Sequence, residues 1–327
     1  MNSVILTAAG LLVASGLLIL LLRALQLKKS RIAIQPLSPS LPLTDAIHFL
    51  PTESADAILL QSDGHFALVD AAEDSDNPRG FAELAYRGYE NEVLAYLKQY
   101  AAGADGKVHL DFILGTHAHS DHLGGFDTVI ADDSVMIDRA YLKRYDESRI
   151  RTSEVEKWDN REVYEQTVTA LQAKHIPILA DIEKTDFMLG NMHITLYNTE
   201  YDTVHTDIGE NDNSIGMRVA VYGSSAFLAA DIDNKTGDED RLAPQIGKVD
   251  ILKVGHHSYA GSTTENWLKT LMPKVCIVTN REASVDTRTL DRITRICRCP
   301  ILITGKERGV ITVFNRDGTV SYYNNIM

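Results

Sequence analysis

Short apolar runs separated by polar turns follow one another from Ala46 onward. The runs AIHFL, AILLQ and FALVD have the length and the bounding turn residues of strands, and the last run ends at Asp70. A later run, LDFILGTH, has the composition of a buried strand and stops at a group of histidines. These runs predict a sheet that carries a histidine cluster at the C-terminal end of one strand.

The second half of the chain has a similar pattern. The stretch from Ser214 to Asp233, SIGMRVAVYGSSAFLAADID, predicts a hairpin whose turn uses the backbone freedom of Gly223. The runs IPIL, HITLYN, VDILKVGHHS, VCIVTN and ILIT predict further strands, and GVITVF with TVSYYN predicts a closing hairpin. Helices are predicted over four ranges: Glu90 to Ala102, Glu162 to His175, Thr264 to Leu271 and Asp286 to Cys297. This order predicts an α/β fold in which two sheets pack face to face with helices outside.

Residues 1–31 stand apart from this pattern. Val4 to Leu22 are 19 consecutive uncharged, mostly apolar residues. A helix of that length rises about 28 Å, against about 30 Å for the hydrocarbon core of a bilayer. We therefore expect a single-pass membrane anchor. A cleaved signal peptide is the alternative, although no basic segment precedes the run and no clear small-residue cleavage site follows it.

The segment between this anchor and the first predicted strand, residues 32–45, carries Pro36, Pro39 and Pro42 at intervals of three. That spacing favours extended polyproline conformation, so the segment is predicted to be a tether. Alternatively its isoleucines and leucines pack on the domain as an arm. The folded domain proper is predicted over residues 46–327.

Charge and cysteine content narrow the classes of function. The net charge is −13, so no broad basic surface exists to neutralise a phosphate backbone, which argues against nucleic acid as a partner. The three cysteines, Cys276, Cys297 and Cys299, are an odd number crowded near the end of the chain. They are interpreted as small apolar core residues rather than as a disulfide framework.

Three histidines and an aspartate fall within the six positions of HAHSDH, residues 117–122. His117 and His119 are two apart and point the same way on an extended segment, while Asp121 and His122 follow in a turn. Imidazole and carboxylate suit zinc or a similar ion, and four ligands exceed what one catalytic ion with an open position needs. The motif predicts two divalent metal ions, most simply Zn²⁺. The alternative, a polar loop with coincidental histidines, is disfavoured by the tight spacing.

Two further strand ends supply candidate ligands. FLAADIDN ends a strand at Asp231, whose carboxylate could bridge two ions; an ordinary strand-ending aspartate is the alternative. LKVGHHSYAG ends a strand with His256 and His257, of which one could bind metal while the other faces substrate. Spacing alone does not decide between these two histidines.

These ordered motifs resemble those of the metallo-β-lactamase superfamily over essentially all of residues 46–327. The resemblance implies an αββα sandwich with a two-metal site at one edge. It implies that Asp70 supports the site by contacting a ligand rather than a metal, and Asn213 is expected in a similar supporting position. Where the superfamily commonly has another ligand histidine, the chain reads GENDNSIG, with Asn213 and Ser214 there; His205 is an alternative replacement ligand. The implied ligands are His117, His119, Asp121, His122, Asp231 and His257.

Further stretches resemble the catalytic module of teichoic-acid phosphorylcholine esterases within that superfamily: SDGHFALVDAAED, RAYLKRYDESRI, KWDN, NDNSI and PQIGKVDILKVGHH. This resemblance implies hydrolysis of a choline-bearing phosphodiester with release of phosphorylcholine, and it favours His257 over His256 as the ligand. Aromatic faces hold quaternary ammonium groups, and Trp158 is the first candidate for that contact. The alternative is that Trp158 is a packing residue at a helix start.

Two cations a few ångströms apart lower the pKa of a shared water toward neutrality, so a metal-bridging hydroxide is the expected nucleophile. Asp121 is expected to orient the water, and His256 to stabilise charge on the phosphoryl group. NDNSI followed by GHHS also resembles competence-type DNA-uptake proteins, which implies a nuclease-like phosphodiesterase as an alternative. The same fold also admits a lactamase or lactonase and, outside the enzymes, a membrane-tethered metal-binding sensor.

The side of the membrane is open at this point. The basic residues beside the apolar run all lie on its C-terminal flank, which by the positive-inside rule places the domain in the cytoplasm: Arg23, Lys28, Lys29 and Arg31. The esterase resemblance instead implies an exported enzyme that acts on a cell-wall or surface polymer. We expect a membrane-attached protein and leave the side of the catalytic domain open, with the resemblance favouring the outside of the cell.

Overall fold

The computed structural model describes residues 32–38, 43–200, 205 and 207–327. Its strands are β1 (Ile34–Pro36), β2 (Asp45–Phe49), β3 (Ala57–Ser62), β4 (His65–Ala71), β5 (Val108–Leu110), β6 (Phe112–Gly115), β7 (Val135–Ile137), β8 (Ala140–Leu142), β9 (Ile178–Leu179), β10 (Asp186–Leu189), β11 (Met192–Tyr197), β12 (Gly216–Val221), β13 (Ser224–Leu228), β14 (Ile251–Lys253), β15 (Val275–Val278), β16 (Ile301–Ile303), β17 (Val310–Phe314) and β18 (Val320–Asn324).

The α-helices span Glu90–Tyr100, Ser120–Leu123, Phe126–Ala131, Thr152–Val155, Asn160–Ala173, Asp238–Ile246, Glu265–Leu271, Thr287–Ile296 and Thr304–Glu307. Short 3₁₀ turns span Ala82–Leu84, Glu147–Arg149, Glu210–Asn213 and Gly255–Ser258. The four helices predicted from the sequence are therefore present with small shifts at their ends.

The described strands form two large mixed sheets and one small one. The order in the nine-stranded sheet is β1-β18-β17-β2-β3-β4-β6-β8-β9, and the order in the seven-stranded sheet is β10-β11-β12-β13-β14-β15-β16. Strands β5 and β7 form a separate parallel pair. Within the large sheets, β4 and β6 run parallel to each other, as do β13 and β14.

Side-chain alternation along the strands builds a four-layer structure. Ile58 and Leu60 of β3 face a core that also contains Ile194 and Val219 of the second sheet, so the two sheets pack on each other. Leu59 lies on the opposite face, in a core shared with the helices Glu90–Tyr100, Phe126–Ala131 and Asn160–Ala173. The outer face of the second sheet packs on helices Asp238–Ile246, Glu265–Leu271 and Thr287–Ile296. The predicted pair of sheets with helices outside is confirmed.

The hairpin predicted from the sequence is present as β12–β13, and it turns at two residues, of which Gly223 is the one predicted. Tyr222 and Gly223 both have positive φ angles, 51° and 83°, which is the backbone of a type I′ turn. Glycine adopts this conformation without strain, and Tyr222 accepts it because the turn matches the twist of the two strands.

The described part of the predicted tether contacts the domain. Residues Ile34–Pro36 form β1, which pairs in parallel with β18, and Leu37 N donates a hydrogen bond to Asn324 O. Ile32 and Ile34 pack against the core between the sheets, while Leu37 and Leu43 pack against the helical core of the first sheet. The described residues thus form a packed arm rather than a free tether, because pairing with β18 places their isoleucines and leucines on apolar surface.

The predicted membrane anchor, residues 1–31, lies outside the described residues. Among the residues that are described, none of the helices has the length and apolar character needed to cross a bilayer.

Candidate metal centre

Four strand ends bring the candidate residues together at one edge of the sandwich. Asp70 lies at the end of β4, and the HAHSDH motif follows β6 in the first sheet. Asp231 follows β13 and His257 follows β14 in the second sheet. Parallel neighbours end at the same edge of a sheet, so each sheet delivers its polar residues to the same side.

The first donor group consists of Asp121, His122, Asp231 and His257, whose ligand atoms all lie within 4.8 Å of one another. His122 Nε2 and His257 Nε2 are 3.2 Å apart, and each is 3.3 Å from Asp231 Oδ1. Asp121 Oδ2 is 3.3 Å from His257 Nε2. The rings of both histidines are fully buried, whereas the Asp121 side chain is 28% exposed. This group is therefore closed at the back and open at Asp121.

The second donor group consists of His117, His119 and Asp231. His117 Nε2 lies 3.0 Å from His119 Nδ1, as expected for two histidines that point the same way from an extended segment. The His119 side chain is 21% exposed. Asp231 belongs to both groups, so its carboxylate lies where one ligand would serve two neighbouring ions.

The donor set fits a pair of divalent ions. Two pairs of imidazole nitrogens face each other at about hydrogen-bond distance, one between His117 and His119 and one between His122 and His257. A neutral ring has only one N–H, so these nitrogens cannot all donate, and a cation bound between them would accept their lone pairs. Asp231 Oδ1 is buried and accepts no hydrogen bond of normal geometry among the described residues. Nitrogen and carboxylate ligands together match zinc and similar ions rather than calcium or magnesium.

Charges within the first group stabilise one another strongly. Burial works against a proton on His122, but the carboxylates of Asp231, Asp70 and Asp121 outweigh it and raise the pKa of His122 well above its usual range. Burial likewise opposes charge on Asp231, yet His257, His122 and His256 hold the pKa of Asp231 well below its usual range. The site thus has a negative potential that attracts cations, whether protons or metal ions.

Two buried contacts orient the imidazoles of the first group. His122 Nδ1 lies 2.7 Å from Asp70 Oδ2, and Asp70 also accepts hydrogen bonds from Thr116 N and Thr116 Oγ1. His257 Nδ1 lies 2.9 Å from the Thr279 carbonyl oxygen, an acceptor only, so this nitrogen carries the proton. Both histidines therefore present Nε2 to the donor group. Asp70 therefore contacts His122, one of the predicted ligands.

Two carboxylates, one from the helix Thr152–Val155 and one from the turn Glu210–Asn213, hold the segment that carries His119. Its Nε2 lies 3.1 Å from Glu154 Oε1, and Glu154 also accepts a hydrogen bond from the Glu210 backbone N–H. Glu210 Oε1 in turn accepts from the Ala118 N–H between the two histidines. Asn213 contacts this network rather than a predicted ligand, because its side-chain amide donates to Glu210 Oε2. His205, the alternative replacement ligand, is exposed and is not in either donor group.

The side chains of His256 and His257 point in different directions from the turn Gly255–Ser258. Both histidines have φ near 47°. The turn packs closely on the segment after β13, because a Cβ on Gly255 would lie 2.6 Å from the Ile232 carbonyl oxygen. His257 enters the donor group, whereas His256 lies at the rim with its Nε2 3.8 Å from Asp231 Oδ2. Asn211 Nδ2 lies 3.3 Å from His256 Nε2, a contact that the sequence did not indicate.

Trp158 is outside the donor groups and 41% exposed. Arg79, in the loop after β4, binds the segment that carries Trp158, because Arg79 Nη1 donates hydrogen bonds to the Trp158 and Val155 carbonyl oxygens. The Arg79 guanidinium lies over the Phe81 ring, 5.2 Å from its centroid, and Phe81 is also exposed. Asp159, next to Trp158, is buried.

A third group of donors, Asp56, Asp70 and His122, lies behind the first. All three side chains are buried. The ammonium of Lys253, itself fully buried, lies 2.5 Å from Asp56 Oδ2 and donates to the Ala230 carbonyl oxygen. Neither Asp56 nor Lys253 was predicted, because Asp56 precedes an apolar run outside any motif and Lys253 lies in the strand part of LKVGHHSYAG, before its histidines. Glu154 was missed as well, although it lies between the stretches RAYLKRYDESRI and KWDN.

Comparison with known proteins shows the fold. No protein-family model matches the chain. The chain is 26% identical over 181 residues, 54% of its length, to ComE operon protein 3 of Bacillus subtilis (strain 168). That match covers 20% of ComE operon protein 3, so the chain spans about a fifth of the length of this curated relative.

Among solved structures, the metallo-beta-lactamase fold protein YhfI from Bacillus subtilis aligns with a TM-score of 0.50 and 13% identity, covering 85% of this chain and 99% of YhfI. Zn(2+)-bound PqqB from Methylobacterium extorquens aligns with a TM-score of 0.43 and 12% identity, covering 81% of this chain and 86% of PqqB. Together with the two packed sheets, the likeness to YhfI shows that the chain has the metallo-β-lactamase fold. The predicted fold is confirmed on this evidence.

Proposed function

We propose that this protein is a metal-dependent phosphodiester hydrolase that releases phosphorylcholine from a choline-bearing polymer. The observation that carries the proposal is the pair of donor groups sharing Asp231 at an edge where Asp121 and His119 are partly exposed. A purely structural metal site would be closed on all sides. Two donor groups at an edge that is partly open to solvent instead leave room for a substrate.

Two divalent ions, most simply Zn²⁺, would be held by the two donor groups. One group consists of His117, His119 and Asp231, and the other of Asp121, His122, Asp231 and His257. When bound, such ions supply Lewis-acid chemistry that activates water and neutralises charge on a phosphoryl group.

The chain's own side chains have separable tasks in this reaction. Asp121 lies on the open side of the first group, where its partly exposed carboxylate can accept a hydrogen bond from an entering water and orient it. His256 faces the same opening from the rim, held between Asn211 and Asp231. Its ring can donate a hydrogen bond to a phosphoryl oxygen, where charge develops during hydrolysis. Burial keeps the pKa of His256 below its ordinary value despite the attraction of Asp231.

The choline specificity is proposed from the aromatic and acidic surroundings of the opening. Tyr86 and Trp158 are exposed aromatic residues in the two segments that Arg79 joins. Burial, followed by the charges of Glu73 and Asp121, raises the pKa of Tyr86. Aromatic faces beside carboxylates attract a quaternary ammonium without forming a hydrogen bond to it. Because 41% of Trp158 is exposed, packing accounts for only part of its surface.

Substrate preference tests the proposal. The full-length chain, purified in detergent and loaded with Zn²⁺, is offered a chromogenic phosphorylcholine ester, a chromogenic phosphodiester without choline, single-stranded DNA and a β-lactam. We expect turnover of the phosphorylcholine ester well above that of the other three. Asp231→Asn serves as the control for contaminating activity. Turnover of DNA alone, or of the β-lactam alone, would contradict the proposal.

A nuclease-like phosphodiesterase is the second candidate. The observation that favours it is the local match to ComE operon protein 3, although the match spans about a fifth of that protein. The net charge of −13 opposes binding of a polyanion such as DNA. The substrate panel includes single-stranded DNA for this reason, and the salt dependence of any DNA cleavage would show whether backbone charges are contacted.

Membrane attachment is a further part of the proposal and rests on the apolar run from Val4 to Leu22. A substrate in the cell wall or on the cell surface requires the catalytic domain to face outward. Protease added to intact cells should then remove the domain while a cytoplasmic marker survives. A domain that is cut only after the cells are lysed would place the protein on the cytoplasmic side.

A further inference from the structure

The third donor group, Asp56, Asp70 and His122, has the composition of a metal site, but one of its carboxylates already pairs with a buried ammonium. Lys253 Nζ lies 2.5 Å from Asp56 Oδ2 and 2.9 Å from the Ala230 carbonyl oxygen. The lysine side chain is fully buried, and a buried ammonium needs a charged or strongly polar partner in contact with it. The ammonium is therefore the cation that pairs with the Asp56 carboxylate of this group.

Lys253 also lies close to the carboxylate that both metal-binding groups share. Strand β14 pairs with β13 so that Lys253 is opposite Leu228, and Asp231 follows three residues later. Lys253 Nζ is 3.7 Å from Asp231 Oδ1, the same oxygen that lies 3.3 Å from His122 Nε2 and His257 Nε2. Asp56 and Asp231 thus compete for one buried ammonium, and in the structure the contact is with Asp56.

The backbone of Asp56 is held in place. Its N–H donates to the Asp121 carbonyl oxygen, and its carbonyl oxygen accepts from the Ala72 N–H. These bonds tie Asp56 to the loop that carries Asp121 and to the end of β4. Its other carboxylate oxygen, Oδ1, is 3.7 Å from His257 Nδ1 and makes no hydrogen bond among the described residues. The main fixed partner of this buried carboxylate is therefore Lys253.

We propose that Asp56 is a positioning residue that binds the Lys253 ammonium and keeps it from Asp231, so that Asp231 Oδ1 stays available to metal ions. The inference rests on the metal-binding part of the proposed function and not on the substrate. Loss of the Asp56 charge leaves the ammonium buried without its partner. The ammonium then moves onto Asp231 and competes with the metal for that carboxylate.

Cobalt binding tests this directly, because Co²⁺ replaces Zn²⁺ and its visible absorption reports the number and geometry of ligands. The full-length metal-free protein is titrated with Co²⁺, and bound metal is counted after removal of excess. We expect about two ions in the wild type. Asp56→Asn should weaken Co²⁺ binding by roughly tenfold or more, as for other residues that position metal ligands, and should alter the spectrum.

The double variant Asp56→Asn/Lys253→Met provides the discriminating result. With the competing ammonium gone, Asp56 is no longer needed, so Co²⁺ affinity and spectrum should return close to those of the wild type. A residue with only a packing role would show no such rescue. Asp132→Asn, at the exposed Lys98–Asp132 pair, is the matched control and should bind Co²⁺ like the wild type.

Unchanged Co²⁺ binding in Asp56→Asn overturns the proposal, as does a folded double variant that binds Co²⁺ no better than Asp56→Asn. If circular dichroism shows Asp56→Asn to be unfolded, wild-type binding by the double variant supports the proposal and weak binding overturns it. A wild-type protein that binds no Co²⁺ overturns it as well. Normal Co²⁺ binding without any hydrolysis leaves it standing and refutes the proposed function instead.

Discussion

The two donor groups that share Asp231 differ in how the protein holds them. In the first group His122 and His257 are fully buried, and Asp70 and Thr279 orient their rings from inside the sandwich. In the second group His119 is partly exposed and is oriented by Glu154, which comes from a surface segment. The comparison indicates that one half of the site is built by the core of the fold, while the other depends on loops that vary more readily.

The largest expected effect comes from removing the residue common to both groups. Asp231→Asn keeps the shape of the side chain but removes its charge. The affinity for both ions should fall together, so bound metal should drop below one ion per chain. The value of kcat/KM should drop by about a thousandfold or more. Metal analysis and steady-state kinetics check this. A variant that still binds two ions would show that the groups do not share Asp231.

The exposed group alone should respond to Glu154→Gln. The change removes the charge that His119 Nε2 faces and that raises the pKa of His119 against the opposing effect of burial. Affinity for one ion of the pair should fall by about tenfold while the other stays bound, in keeping with losses at residues that orient ligands. Stepwise Co²⁺ titration separates the two ions. Glu156→Gln, on the exposed face of the same segment, is the matched control.

A smaller effect is expected at the rim. Trp158→Ala should raise KM for the phosphorylcholine ester by about fivefold, the loss of roughly 1 kcal/mol of cation–π attraction, with kcat nearly unchanged. Turnover of the phosphodiester without choline should not change. Kinetics on both substrates check this, and an equal rise in KM for both would mean that Trp158 shapes the opening without contacting choline.

The smallest effect on activity at neutral pH is expected for a change at His48, which lies away from the site and affects the pH dependence of folding stability. This buried ring contacts the Tyr96 hydroxyl and Gln61, and burial lowers its pKa to about 3 although the Gln61 contact acts in the opposite direction. The unfolded chain takes up a proton near pH 6.5 and the folded chain does not. Stability from the neutral ring is therefore complete above pH 6.5 and is lost as the pH falls toward about 3.

Denaturant unfolding at pH 7 and about pH 4 measures this linkage. The wild type should lose on the order of 3 kcal/mol more than His48→Gln over that interval. His65→Gln, at an exposed ring on the same sheet, controls for the loss of a histidine. Identical losses in the wild type and His48→Gln would show that His48 is protonated in the folded state.

Much of the fold could be predicted because strands and helices have local periods. The β12–β13 hairpin, the closing β17–β18 hairpin and the four predicted helices all follow from spacing within about a dozen residues. The elements that were missed are short or carry a contrary signal. Strands β5, β7 and β8 have three residues each, and the helix Asp238–Ile246 contains Pro244. Such segments form because the surrounding layers bury them, which local propensity does not register.

The meeting of two histidine-rich strand ends and an aspartate could be predicted from the chain alone, because HAHSDH, Asp231 and the His256–His257 pair each follow an apolar strand. The packing of the fold settles three further points: His257 rather than His256 turns inward, Glu154 reaches His119, and Lys253 pairs with Asp56 across the back of the site. The reason is physical: side-chain direction along a strand repeats every two residues, whereas contacts between charges depend on distances set by the packing of remote segments.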